Sequence, residues 1–162
     1  MKHIVENKNF LPIDQFNKLK NLICNLDFPW RIRNQMTSTD KNIYFTYSFF
    51  NNNNVTSEAY QEYIIPILEI LKCKAVVQIR ANLFISDLFK KSDWHTDYDF
   101  GCNTAILYLN NCDGGTELKI KNKIKFVKAE ENKLLMFNSN VTHRVCSSTN
   151  TARRYIINFN YF

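Results

Sequence analysis

The chain has 162 residues, 45% hydrophobic and 14% aromatic, with only three glycines and three prolines; this suits one globular domain burying roughly two thirds of its unfolded surface, and it excludes a disordered tail. The formal charge of +6 suits an anionic partner such as nucleic acid, an acidic protein or a dicarboxylate. No apolar run is long enough for a membrane span, residues 1–10 are too polar for a signal peptide, and five cysteines without a CxxC pair read as reduced thiols, so a cytoplasmic location is expected and a disulfide framework or zinc site is not.

In chain order, Asp14 to Leu26 places Phe16, Leu19, Ile23 and Leu26 at helical spacing after Pro12. Trp30 to Gln35 and Asn42 to Phe50 read as strands, and Asn51 to Asn54 as a turn. Ser57 to Lys72 carries a second helical stripe, Tyr60, Ile64, Ile67, Leu68 and Leu71, which Pro66 must kink or divide. Beyond Lys74 the pattern changes to short β-type runs: Ala75 to Ile85, Trp94 to Asp97, Cys102 to Asn110, Thr116 to Ile120, Ile124 to Lys128, Lys133 to Asn138, His143 to Ser147 and Arg154 to Tyr161. Eight such strands favour a sandwich or barrel over a parallel α/β sheet. The fold expected is mainly β with N-terminal helices (α+β), one domain over 1–162 with its helices and supporting strands in 1–73. The densest basic run, Lys119, Lys121, Lys123, Lys125 and Lys128, alternates with Ile120, Ile124 and Phe126 as in a strand pair with one wet face; a nucleic-acid groove is the other reading. Asp113-Gly114-Gly115 is a turn, its glycines serving positive φ or close strand approach.

Three histidines are present, and His3 stands in an N-terminal tail expected to be mobile. The other two, His95 and His143, together with Asp97, have the composition of a facial iron site, two imidazoles and a carboxylate with open coordination positions. On a strand, His95 and Asp97 project together while Thr96 points away. Asp93 and Asp99 are also an even number of residues from His95 and compete with Asp97 for the role. Trp94 either walls this site or packs elsewhere.

From about Ala75 to the C-terminus the chain resembles the double-stranded β-helix core of iron(II)- and 2-oxoglutarate-dependent oxygenases, particularly the small prolyl-hydroxylase-like branch and related short phage oxygenases. The matching pieces occur in family order: His95-Thr96-Asp97, the strand from Thr104 to Asn110, Gly114-Gly115 with Thr116-Glu117-Leu118, Lys133 to Phe137, His143, and Arg154-Tyr155-Ile156-Ile157. The resemblance implies a jelly-roll, cupin-like core over 74–162, iron(II) held by His95, Asp97 and His143, and 2-oxoglutarate and O2 as cosubstrates, with ascorbate as a further requirement of some members. It implies hydroxylation of a C–H bond coupled to conversion of 2-oxoglutarate to succinate.

In that family an arginine opening the last strand binds the far carboxylate of 2-oxoglutarate, for which a guanidinium fork is suited. Arg153 and Arg154 both stand there, and the family register favours Arg154, with Ile156, Asn158 and Asn160 on its face. Tyr108 is at the position of a phenolic donor to the same carboxylate, with Thr104 and Ile106 on its face. Arg80, Asn82 and Phe84 share a face of the preceding strand, and Asn82 or Arg80 is placed to touch cosubstrate or substrate. A small-molecule, peptide or protein substrate oxidised on an amino-acid side chain is the first expectation. A nucleic-acid demethylase is the second, although the second arginine of that group, six residues after the first, is replaced here by Phe159 or Asn160. A non-catalytic metal- or ligand-binding barrel is the third. Oligomeric state has no signature in the sequence.

Overall fold

A computed structural model describes residues 4–35, 37, 39 and 41–162; His3 and its expected tail lie outside the described residues. The elements are β1 (Val5–Asn7), α1 (Ile13–Ile23), β2 (Arg31–Arg33), β3 (Tyr44–Asn51), β4 (Asn54–Val55), a π-helical turn (Tyr60–Ile64) running into α2 (Ile65–Ile70), β5 (Val76–Ile85), β6 (Asn103–Tyr108), β7 (Gly115–Ile120), β8 (Lys123–Lys128), β9 (Lys133–Asn138), β10 (His143–Cys146) and β11 (Arg153–Tyr161). The major sheet is antiparallel, in the order β1-β9-β6-β11-β5-β3-β2, with β4 hairpinned onto β3; the minor sheet is β10-β7-β8.

Alternation along the strands gives the major sheet two different faces. Ala105, Leu107, Leu109, Ile157, Phe159, Ile79, Ala81 and Leu134 face the helices and pack on Phe16, Leu19 and Ile23 of α1 and on Ile64, Ile67 and Leu68. The opposite face carries Tyr44, Phe84, Ile106, Tyr108, Leu135, Phe137 and Ile156 and packs on Leu118 and Val127 of the minor sheet. Because β11 is covered on both sides, its residues from Arg154 to Tyr161 are all buried.

Glycine is scarce, so other residues make the left-handed turns. Asn52 (φ 50°) and Asn53 (φ 60°) close the β3–β4 hairpin, since asparagine tolerates this region well. The second helical stripe is divided at Pro66, which sits in the first turn of α2, where a missing N–H costs nothing. Helix α2 ends on Lys72 (φ 53°), with the Cys73 N–H on the Leu68 carbonyl and the Lys72 N–H on the Glu69 carbonyl, a Schellman closure.

Two expectations need correction and a third is narrowed to one of its alternatives. Trp94 to Asp97 is not a strand: Lys91 bridges Cys146 and His95 bridges His143, a one-residue change of register that interrupts any continuous ladder, and Asp97 N–H reaches the Ser139 carbonyl instead. The hairpin of β7 and β8 forms with one dry and one wet face, but Ile124 and Phe126 lie on the wet one. Thr116 pairs with Val127 and Leu118 with Lys125 on the inner side, which leaves Ile124 57% and Phe126 46% exposed on the outer one. Neither Gly114 nor Gly115 has positive φ; the close-approach alternative accounts for both. A Cβ on Gly114 would lie 2.8 Å from the Cys146 carbonyl oxygen, and one on Gly115 2.1 Å from that of Val127. All five cysteines are free.

Candidate metal centre and cosubstrate pocket

His95, Asp97 and His143 converge from a loop and from the first residue of β10, with one ligand atom of each lying within 4.8 Å of the others. The paired backbone bonds between His95 and His143, 3.0 and 2.8 Å, hold the loop against β10 and bring the side chains of His95 and His143 together. Neither competing carboxylate belongs to the cluster. The Asp93 side chain accepts from the Thr39 hydroxyl (2.7 Å), and Asp99 is exposed.

Each ring is oriented by its own neighbourhood. His143 Nδ1 lies 2.9 Å from the Val141 carbonyl and His95 Nδ1 lies 3.2 Å from that of Asp93. A carbonyl only accepts, so each Nδ1 carries the hydrogen and each Nε2 keeps a free lone pair, the arrangement of a metal-ligating imidazole. Asp97 Oδ2 accepts from the Thr104 hydroxyl (2.8 Å) and Asn160 Nδ2 (2.8 Å), with Asn158 Nδ2 at 3.5 Å, while Oδ1 is 3.5 Å from His143 Nε2. Burial would push the Asp97 carboxyl upward, but His143, the Asn160 and Thr104 hydrogen bonds, and His95 together hold it below the usual range. Burial holds the His143 imidazole below its ordinary value, more than Asp97 raises it. A carboxylate and a neutral imidazole are what a divalent cation requires.

The triad opens into a cavity of about 150 Å³ whose walls include Tyr44, Phe84, Ile106, Val145 and Ile156, with Arg80, Asn82, Thr116, Arg154 and Asn158 as polar members. Arg154 is 1% exposed and lies over the rings of Phe84 (5.2 Å) and Tyr108 (5.5 Å). Its hydrogen bonds are long ones, 3.4 Å to the Cys146 carbonyl and 3.4 Å to the Thr116 hydroxyl, and Nε has no partner. Among the described residues, no carboxylate lies within ion-pair distance of it. Burial lowers its pKa, yet a guanidinium stays charged in proteins. A buried cation without a counter-ion is costly, and a ligand carboxylate fits it. Arg153, one residue earlier, is exposed, and its carbonyl accepts from Asn110.

Asn82 and Asn158 also border this cavity, each with a shielded Oδ1 lacking a partner. Tyr108 lies behind the wall and not on it: its hydroxyl donates to the Thr116 hydroxyl (2.8 Å), and burial pushes its pKa up to about 12. Thr96, expected to point away, borders the cavity as well, and Thr116 is a further polar residue that the sequence reading missed. The signal was its place two residues before Leu118 on β7, which alternation turns inward. Trp94 points the other way, between Lys119 (4.4 Å) and Arg144 (4.2 Å), outside the cavity lining.

Residues 87–162, the stretch that contains the triad and Arg154, match the family model of the 2OG-Fe(II) oxygenase superfamily. The match spans 76 of the 162 residues, and over that stretch the chain is similar to oxidoreductases of the superfamily. No curated protein matches it in sequence. Solved structures similar to it include a Pseudomonas putida prolyl-4-hydroxylase (14% identity, 99% of this chain and 93% of the other, TM-score 0.72). A Burkholderia pseudomallei oxidoreductase of the 2OG-Fe(II) oxygenase family has 11% identity, 98% and 84% coverage and a TM-score of 0.77. A Trichoplax adhaerens prolyl hydroxylase in complex with a hypoxia inducible factor oxygen degradation domain peptide fragment has 17% identity, 98% and 83% coverage and a TM-score of 0.74. At these identities the likeness is one of fold. No helix among the described residues is long and apolar enough to cross a membrane.

Proposed function

We propose that the protein is an iron(II)- and 2-oxoglutarate-dependent dioxygenase that hydroxylates a peptidyl or free amino-acid side chain, and that its two sheets form the double-stranded β-helix, or jelly roll, of a single domain over 1–162. The observation that carries the reading is one small cavity with a His/Asp/His cluster in its wall and, at one end, a buried guanidinium lacking any anion. His95, Asp97 and His143 would hold the iron, and Arg154 the far carboxylate of 2-oxoglutarate. When bound, iron(II) and 2-oxoglutarate supply the oxidising chemistry, coupling O2 reduction and cosubstrate decarboxylation to C–H hydroxylation.

The protein's own contribution is placement and enclosure. Thr104 and Asn160 fix the Asp97 carboxylate, and the Val141 and Asp93 carbonyls fix the imidazoles. Thr116 ties Arg154 to Tyr108, setting where the guanidinium fork points. Tyr44, Phe84, Ile106, Val145 and Ile156 give an apolar lining that excludes water and strengthens the polar contacts it surrounds. The prolyl hydroxylases among its structural neighbours support an amino-acid side chain as the target.

Purified protein supplied with iron(II), ascorbate and 2-oxoglutarate should release succinate slowly without any added substrate, and His95→Ala should release none. Folded wild type that binds metal but forms no succinate would make the chain a non-catalytic barrel and overturn the reading.

A further inference from the structure

Arg80 is a second cation of the cavity that the chemistry above does not use. It projects from β5 on the same face as Asn82 and Phe84, its Nε is shielded from solvent, and that atom has no hydrogen-bond partner. Among the described residues no carboxylate pairs with it. Its cross-strand neighbours are Asn158 of β11 and Ser48 of β3, both uncharged. The nearby metal-cluster carboxylate has its Oδ2 occupied by Thr104, Asn160 and Asn158 and its Oδ1 turned to His143.

Register separates the two arginines. Arg154 pairs with Phe84, and Asn158 with Arg80, so Arg80 lies four strand positions, roughly 13 Å, from the level of Arg154. Between them, Asn158 reaches toward Asp97. A ligand anchored on Arg154 therefore leaves Arg80 free on the far side of the triad. A shielded guanidinium nitrogen without a partner, here Nε, is costly unless a ligand completes it.

Resting on the iron and 2-oxoglutarate reading, we propose that Arg80 recognises the primary substrate and that this substrate carries a carboxylate close to the bond that is oxidised. A free amino acid or a short peptide bearing an acidic side chain or a C-terminus fits this chemistry. A nucleic-acid backbone fits less well, because phosphate contacts are made by exposed cationic surface, whereas Arg80 is half-buried and lines a cavity of about 150 Å³.

The test uses iron(II)- and 2-oxoglutarate-loaded enzyme under anaerobic conditions, titrated calorimetrically with free proline, glutamate and lysine and with short peptides containing them. Each probe is also supplied with its carboxylates converted to amides, and the free-acid and peptide arms separate the two sources. At least one carboxylate should bind wild type, with amidation or Arg80→Gln weakening it about tenfold to a hundredfold and Arg80→Lys restoring part of the loss. Arg80→Gln should keep the wild-type fold, read from its circular dichroism spectrum. Equal binding of acid and amide, unchanged binding in folded Arg80→Gln, binding of phosphorylated probes alone, or no carboxylate binding to wild type would each overturn the proposal. A wild type that forms no succinate yet binds carboxylates through Arg80 would instead sink the oxygenase reading and leave Arg80 as a carboxylate-binding residue without a substrate role.

Discussion

The two faces of the major sheet are built from the same strands and meet opposite demands. Toward the helices, Leu107, Ile157, Phe159 and Ile79 are fully buried in one apolar cluster with α1 and α2. Toward the minor sheet, alternate residues of those strands include Arg80, Asn82, Arg154 and Asn158, each with a shielded polar atom that nothing satisfies. The first face is closed by packing. The second has its polar groups left for something the chain does not contain, so stability and ligand binding are carried by residues one position apart.

Substitutions on the two faces should therefore differ in sign as well as size. Phe159→Ala, on the helix side, should cost about 3–5 kcal/mol in chemical denaturation. Arg154→Leu, on the other side, removes an unpaired buried charge and should be neutral or stabilising by up to about 4 kcal/mol in ligand-free protein, while losing the stabilisation that 2-oxoglutarate confers on wild type. A loss of several kcal/mol in Arg154→Leu would show that the guanidinium has a structural partner and that the contrast is false.

Acidity should expose the site face next. Since burial keeps folded His143 below its ordinary value while the unfolded chain protonates near pH 6.5, the unfolded state binds the extra proton, and metal-free protein should lose stability as pH falls below about 6.5. Asp97, held low, adds a further loss only as pH falls through the acid range where its native carboxylate must be protonated. Denaturation curves across pH 5 to 8 check this, and His143→Gln should flatten the upper part. The smallest effect belongs to Arg153→Ala, whose exposed side chain should leave stability within about 0.5 kcal/mol and the 2-oxoglutarate requirement untouched.

Much of the fold was legible because period-two alternation is strong where strands are covered on both sides. The span expected at Lys133 to Asn138 is that of β9, and those of β6 and β11 differ by at most two residues at an end. What escaped was local sequence under tertiary control. Val5–Asn7 is three exposed residues whose strand exists through pairing with β9 and through Glu6 on Lys125 and Lys133. The inner and outer faces of β8 are assigned by its partner β7, so Ile124 and Phe126 were assigned to the wrong side. At the site, the residue types of the cluster and the inward turn of Arg154 were readable. The Thr104 and Asn160 grip on Asp97, and the Thr116 link between Tyr108 and Arg154, depend on which strands are neighbours, and spacing along the chain does not encode that.

The central claim, one cavity serving metal and dicarboxylate together, is tested most directly by calorimetric titration of 2-oxoglutarate into anaerobic protein with and without iron(II). Wild type should bind it tightly only with the metal, His143→Ala should lose the metal-dependent part, and Arg154→Gln should bind roughly a hundredfold more weakly. Binding that is indifferent to iron, to His143 and to Arg154 would contradict the account.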